Sequence, residues 1–385
     1  DKVPFKIFDK KNAEKLFGKN LNISASQLEK FNLCRFSYFC NYGLNVRERQ
    51  KAEINPMQYG TIVHYILERF FGEYTKEEYL SLEEDKFQKI VCAYLAEYAV
   101  KYFGEEQLES NSFTYRLKTI LDNVMYLMKH IMEELSQSEF FVADCELKIG
   151  EDIPSYTIVL PDGHKIAVCG SVDRVDIMQR ADITYLRIID YKTGTKQFKL
   201  SDILYGINLQ MLLYLHSIEA SGGDKYGEIV PAGILYMPAT VPYISSDSLK
   251  SIDKLPDELN KKLKMNGLLL KDTEIIHGMD KTDVATYIPV KIKAGEPVSS
   301  TSLATLAEFG KIFKKVDMLI AEMGKNIYNG NIEAKPLKGG HDSCEYCPYD
   351  SVCAYRQSNP ITCFSVDNKT VIEEITNEIN GKEEE

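Results

Sequence analysis

The sequence predicts an α/β fold with a mixed central sheet and large helical insertions, and three observations carry that expectation. Residues 140–191 are runs of β-branched and aliphatic residues divided by short polar turns. Apolar residues recur at helical spacing on both sides of that block, over 76–103, 113–135 and 303–323. At 385 residues, with 44% hydrophobic and 27% charged, the chain can bury a substantial core.

Taken in order, residues 24–39 read as one helix opened by a serine cap at Ser24. Residues 56–71 carry apolar side chains at helical spacing, as do 76–103 and 113–135. A strand is expected at 140–149. Residues 165–178 alternate as another strand, and the polar turn Gln179-Arg-Ala-Asp182 joins it to 183–190 as a hairpin. A helix over 200–218 carries Gln210 and Tyr214 on one face at i and i+4. Ser221-Gly-Gly-Asp224 and 245–254 read as loops around a strand at 232–237, and the acidic end Gly381–Glu385 reads as disordered. No internal repeat and no second domain stand out. The expected division is an N-terminal extension at 1–21, one domain at 22–357 and a partly disordered tail at 358–385.

Asp190 and Lys192 lie two positions apart at the end of an aliphatic run, so on a strand they share one face, roughly 6–7 Å apart. A turn centred on Ala181-Asp182 brings Asp173, in Gly170-Ser-Val-Asp-Arg-Val-Asp176, opposite Asp190. Like charges opposite one another repel, and apolar neighbours make uncompensated charge costly. A divalent cation resolves that conflict, and hard oxygen ligands suit Mg²⁺ or Mn²⁺. Lys192 can then orient an attacking water or neutralise charge on a phosphoryl group. Gln210 and Tyr214 are placed to brace Lys192 or that water.

In these motifs the sequence resembles the PD-(D/E)XK (restriction-endonuclease-like) nuclease superfamily, in the branch shared by RecB nuclease domains and Cas4. Gly170-Ser-Val-Asp173 resembles its first metal motif, Asp190-Tyr-Lys192 its (D/E)-x-K motif, and Gln210-x-x-x-Tyr214 its characteristic helix. The resemblance implies a metal-dependent deoxyribonuclease in which Asp173 and Asp190 bind the metal, the Tyr191 carbonyl adds a ligand and Lys192 assists the nucleophile. Gly60-Thr-Ile-Val-His64 fits the upstream Gly-x-x-x-His helix of that branch, which makes His64 a further metal ligand. Glu146 matches an acidic position near the family's sites and is expected behind the ligands.

A second constellation joins the ends of the chain. Cys344-Glu-Tyr-Cys347-Pro-Tyr-Asp-Ser-Val-Cys353 clusters three thiols that need a fourth, for which Cys34 and Cys40 compete. Thiolates in such numbers select zinc or an iron–sulfur cluster, and spacing alone does not separate the two. Three clustered cysteines with one remote partner resemble the iron staple of AddB-type members of helicase–nucleases, and of many Cas4 proteins. That resemblance implies a [4Fe–4S] cluster, a C-terminal Fe–S staple. The family pattern of a Ser-capped helix before the first ligand, and aromatic residues after it, favours Cys34. Joining Cys34 to Cys344 closes a loop spanning most of the chain, worth on the order of 5 kcal/mol on the entropy scale of a cross-link.

The likeness to AddB-type nuclease domains continues in Ala232-Gly-Ile-Leu-Tyr236, Met265-Asn-Gly-Leu-Leu-Leu270 and Leu337-Lys-Gly-Gly340, covering roughly residues 22–355. No G-x-x-x-x-G-K-[ST] motif occurs, so no ATP-driven motor is visible. With no initial methionine, the chain is expected to be the nuclease domain of a longer protein. The resemblance then implies DNA, unwound by an AddA-type motor subunit, as partner and substrate. A stand-alone Cas4-like exonuclease and a nuclease-inactive Fe–S module that binds DNA ends are the alternatives.

Nine cysteines placed mostly singly, with no signal peptide and no apolar run near twenty residues, fit a cytoplasmic protein with no membrane segment. A net charge of −11 excludes a broad DNA-coating role. Nucleic acid contacts are therefore expected to be local, at Arg174, Lys196 and Lys199. Lys311, Lys314 and Lys315 read as a solvated helix face, and the 24 Tyr and 17 Phe read as core.

Overall fold

The computed structural model describes residues 6–47, 56–104, 110–194, 196–242, 255–299, 301–353, 355 and 360–383. Its strands are β1 (Leu21–Ile23), β2 (Phe141–Ile149), β3 (Thr157–Val159), β4 (Lys165–Val168), β5 (Gly170–Arg180), β6 (Ile183–Lys192), β7 (Glu228–Pro238), β8 (Asn266–Leu270), β9 (Lys291–Lys293), β10 (Glu296–Val298), β11 (Leu303–Ala304), β12 (Leu337–Gly339) and β13 (Ile361–Cys363). Six of them form the central sheet in the order β11-β8-β7-β6-β5-β2. Antiparallel β2, β5 and β6 meet parallel β7 at one side, so the sheet is mixed as expected.

The β5–β6 hairpin forms because Arg180 pairs with Ile183, leaving only Ala181 and Asp182 in the turn. Ala181 takes a φ of 50°, the left-handed conformation that a two-residue hairpin of this kind requires. From β6 the chain crosses through the helix Gln210–Ser221 to parallel β7. Met211 to Ile218 of that helix are all buried, because it lies between the sheet and the long helix Leu306–Tyr328. The helix Asn111–Ser136 reaches the sheet through Glu134. No described helix is long and apolar enough to cross a membrane.

Several boundaries differ from expectation for local reasons. Residues 24–39 are not one helix: Ser24 caps Ala25–Leu33 with a full capping box, but Cys34 is extended and separates it from Arg35–Tyr38. Residues 165–178 form two strands, because the Cys169 amide bonds Ile23 and β4 joins β1 and β3 in a separate sheet. The 76–103 stretch breaks into Lys76–Leu80 and Glu84–Phe103. Residues 200–205 are a 3₁₀ turn ended by left-handed Gly206, so the helix itself opens at Gln210. Ser221-Gly-Gly-Asp224 ends one helix and starts the short helix Gly223–Tyr226.

The C-terminal end also departs from the disordered tail expected. Asn368–Glu383 is a helix with Val371, Ile375 and Ile379 buried, packed on the helix Leu306–Tyr328. Lys315 is only 6% exposed and bonds Glu378 of that C-terminal helix, so it is no part of a solvated face. Residues 245–254 lie outside the described residues.

Candidate active site

The register of the sheet brings three carboxylates into a row. Cys145 pairs with Arg174 and Leu147 with Val172, which sets Glu146 of β2 opposite Asp173 of β5. Arg174 pairs with Ile189, and one step further Asp173 stands opposite Asp190 of β6. The hairpin does not zip up there. Instead the Asp173 carboxylate takes the Tyr191 amide at 2.9 Å, filling the place of a ladder bond. Glu146 has a φ of 50°, a left-handed conformation that costs a non-glycine residue about 1–2 kcal/mol. Strain of that kind collects where side-chain aim matters more than regularity. Ser171 fixes the side chain, its Oγ donating to Glu146 Oε2 at 2.7 Å.

His64 arrives from the helix Pro56–Glu73, whose Gly60 lies against Thr193 just beyond β6. One ring nitrogen, Nε2, is 3.1 Å from the Tyr191 carbonyl, while Nδ1 is 3.5 Å from Asp173 Oδ2 and 3.6 Å from Glu146 Oε1. Donor atoms of His64, Glu146 and Asp173 all lie within 4.8 Å of one another. Glu146 therefore belongs with the candidate ligands and not behind them. The backbone turn that aims it has no sequence signature.

The electrostatics follow from this gathering of charge. Burial, and then the charge of Asp190, pushes the Asp173 carboxyl up to about 7. Burial lowers the His64 pKa, but Glu146 and Asp173 outweigh it and raise it to about 9, so the imidazolium stands in for a cation. The same imidazole holds Glu146 below the usual carboxylate range. Lys192 Nζ sits 2.6 Å from Asp190 Oδ2, close but poorly aligned for a hydrogen bond. Gln210 donates to Asp190 Oδ1 at 3.3 Å, so it braces Asp190 and not Lys192. Three carboxylates gathered on strand ends, with one imidazole, are a hard, charge-demanding donor set that fits a divalent cation.

Tyr214 acts one layer below. A side chain at Gly170 would place its Cβ 2.2 Å from the Tyr214 hydroxyl, so the glycine of the first motif and the tyrosine of the helix motif require each other. Tyr214 thereby positions the start of β5 without touching Lys192.

Arg174 overturns one expectation. It is 0% exposed and cannot meet DNA. Residues adjacent on a strand point to opposite faces, so Arg174 turns away from Asp173 toward the helix Asn111–Ser136. There its Nε and Nη2 donate to Asp176 at 2.7 Å each, and Nη2 reaches Glu134 at 3.0 Å. Arg187 Nη2 donates to Glu134 at 2.6 Å and its Nε to Asp176 at 3.0 Å, closing a ring of two guanidinium and two carboxylate groups. Arg174 also lies 3.5 Å from the Tyr191 hydroxyl, the residue whose backbone faces both Asp173 and His64. Sequence reasoning missed this ring, although Arg174, Asp176 and Arg187 stand as charges inside otherwise apolar strands.

Lys196 and Lys199 remain near the site. Lys196 is half-buried, 5.0 Å from the Tyr236 ring centroid, and Lys199 is exposed. The cysteines also gather. Cys34 feels the charges of Cys353 and Cys347, and Cys353 those of Cys347 and Cys344. Burial raises the Cys34 thiol, while the amides of Phe36 and Ser37 oppose that from farther than a cap hydrogen bond. Cys40 is close as well, acted on by Cys353, Cys347 and Cys34, so five cysteines share this corner. Tyr349 ties it together by donating to the Val46 carbonyl at 2.7 Å.

The chain matches the model of the PD-(D/E)XK nuclease superfamily over residues 22–354. It is similar to proteins whose names make each of them one subunit of an ATP-dependent helicase/deoxyribonuclease. That of Thermoanaerobacter sp. (strain X514) is 34% identical over 89% of this chain and 30% of the relative. That of Clostridium kluyveri (strain NBRC 12016) is 35% identical over 99% and 34%. That of Clostridium botulinum (strain Loch Maree / Type A3) is 35% identical over 91% and 31%. The chain thus spans about a third of the length of these curated relatives. A match across most of the chain, onto a sheet whose strand ends gather Asp173, Asp190 and Lys192, leads to one conclusion: this chain belongs to the PD-(D/E)XK nuclease superfamily.

Proposed function

We propose that the chain is a metal-dependent deoxyribonuclease domain that hydrolyses phosphodiester bonds with Mg²⁺ or Mn²⁺. The observation that carries this reading is the row Glu146, Asp173 and Asp190 with His64 above it and Lys192 beside it. His64, Asp173, Asp190 and the Tyr191 carbonyl would hold the cation, with Glu146 as an additional carboxylate. A cation bound there supplies Lewis acidity toward a phosphoryl oxygen and makes water a usable nucleophile at neutral pH. Lys192 holds a positive charge where negative charge grows in the transition state. Gln210 keeps Asp190 from rotating, and the ring around Arg174 holds Tyr191 and β5 in register.

The cysteine corner would hold a [4Fe–4S] cluster through Cys34, Cys344, Cys347 and Cys353. Among the described residues no three cysteine sulfurs lie within 4.8 Å of one another. A single zinc with 2.3 Å bonds would draw its thiolates to about 3.8 Å, so the wider spacing supports the larger group. The amides of Phe36 and Ser37 facing Cys34 favour it over Cys40 as the remote ligand. The cluster would act as a clamp between the two ends of the chain.

The relatives' names support a place in a two-subunit helicase–nuclease, in which an AddA-type motor feeds unwound DNA to this domain during end processing for recombination in the cytoplasm. The test is cleavage of end-labelled single-stranded DNA by anaerobically purified protein, with and without Mg²⁺. Cleavage that requires the metal and disappears in Asp190→Ala supports the reading. Cleavage retained by a folded Asp190→Ala protein overturns it, as does failure of the native protein to cut with a motor subunit present.

A further inference from the structure

Beside the metal donors lies a cleft of about 530 Å³. Lys192, Lys196 and Lys199 line one wall, Gly340 and His341 the other, with Asp202 and Asn208 between them. Three ammonium groups face one carboxylate, and that carboxylate is occupied: Asn208 donates to it and His341 Nε2 stands 3.7 Å away. In a chain of net charge −11 this is a local positive excess at the mouth of the catalytic site. Lys192 and Lys196 both lie over the buried Tyr236 ring, at 5.9 and 5.0 Å from its centroid, which sets the spacing of the two charges.

The far wall is built from parallel β12 and β13, with Gly339 paired to Cys363. One step further, cleft-lining Gly340 stands beside Phe364, which is 63% exposed. The Phe364 amide donates to the Tyr205 hydroxyl at 3.1 Å, so the ring is presented from an anchored backbone. Gly339 is needed there: its φ is 99°, and a Cβ would come 2.5 Å from the Cys363 carbonyl oxygen. Cys363 lies near enough to Asp202 and Lys199 to feel both charges, which places this wall against the lysines.

We infer that the DNA strand being cut continues from the metal centre into this cleft, its phosphates on Lys196 and Lys199 and one base stacked on Phe364. The inference rests on the nuclease reading above and specifies its substrate as a single strand. A duplex keeps its base faces covered, whereas an anchored, exposed phenylalanine beside a basic groove suits unpaired bases and does not discriminate among them.

The experiment measures fluorescence anisotropy of labelled oligothymidylate, and of a duplex of equal length, in EDTA, so that binding is read apart from cleavage. Lys196→Gln/Lys199→Gln should weaken single-strand binding at least tenfold at low salt. It should also flatten the plot of log affinity against log salt by about 1.4, near 0.7 per lost phosphate contact. Phe364→Ala should weaken binding about tenfold with an unchanged slope. Equal affinity in all three proteins overturns the inference, as does preference for the duplex. So does a larger loss from Lys291→Gln/Lys293→Gln, which line a separate cleft. Metal-dependent cleavage by the same preparations tests the nuclease reading separately, and its survival alongside a failed binding result would remove only the strand path.

Discussion

Replacing Glu134 by alanine should destabilise the protein by about 3–5 kcal/mol, the cost of breaking a buried ion pair from one side. Glu134 is 1% exposed, and Arg174, Asp176 and Arg187 are each 0% exposed. The four charges sum to zero, so deleting Glu134 leaves one guanidinium charge uncompensated inside the core. Its two oxygens now accept from Arg187 at 2.6 Å and Arg174 at 3.0 Å, and both donors would lose those partners. Unfolding entropy of about 2.1 cal/mol/K per residue gives roughly 0.8 kcal/mol/K for a chain of 385 residues. The melting temperature should therefore fall by about 4–6 °C. Calorimetry and urea unfolding read this directly, with the urea midpoint lowered and the slope unchanged. A loss below about 1 kcal/mol would refute the reasoning, because it would mean that water reaches the ring and screens it.

Gly170→Ala should cost about 1–3 kcal/mol by forcing β5 away from Tyr214, and should weaken Mn²⁺ binding with it; a protein as stable and as metal-avid as the native one would contradict the packing. His216 tests the pH dependence: burial lowers its pKa, but Asp317 and Glu219 raise it to about 9. A folded pKa raised above the unfolded value near 6.5 gives stability that is complete below pH 6.5 and is lost as pH rises through about 9. His216→Gln should thus lose on the order of 2–3 kcal/mol at pH 6 in urea unfolding and much less at pH 9.5; an equal loss at both would contradict the assignment. Cys347→Ala should melt lower and bind DNA less well if a cluster clamps the chain ends, and unchanged melting would argue against the clamp.

What the sequence made legible is the part governed by period and register. Two positions between Asp190 and Lys192, and a two-residue turn at Ala181-Asp182, were enough to set Asp173 opposite Asp190. Helical spacing placed His64 and Gln210 on helices, and the capping residues fixed where Ala25–Leu33 starts. What stayed hidden depends on contacts between distant segments. The positive φ of Glu146 leaves no mark in composition, so its entry into the donor set was invisible. Arg174 misled because an arginine beside a catalytic aspartate reads as a DNA contact until its strand is known to be buried on both faces. Cys34 and Cys169 ended regular elements early, since each takes a backbone or sulfur role with a partner far along the chain.

The most direct test of the account is anomalous diffraction from crystals soaked in Mn²⁺. The account predicts a single strong peak among His64, Glu146, Asp173 and Asp190, within bonding reach of the Tyr191 carbonyl, and none in crystals of Asp173→Ala protein. A peak elsewhere with these four residues empty, or the same peak surviving Asp173→Ala, would contradict it.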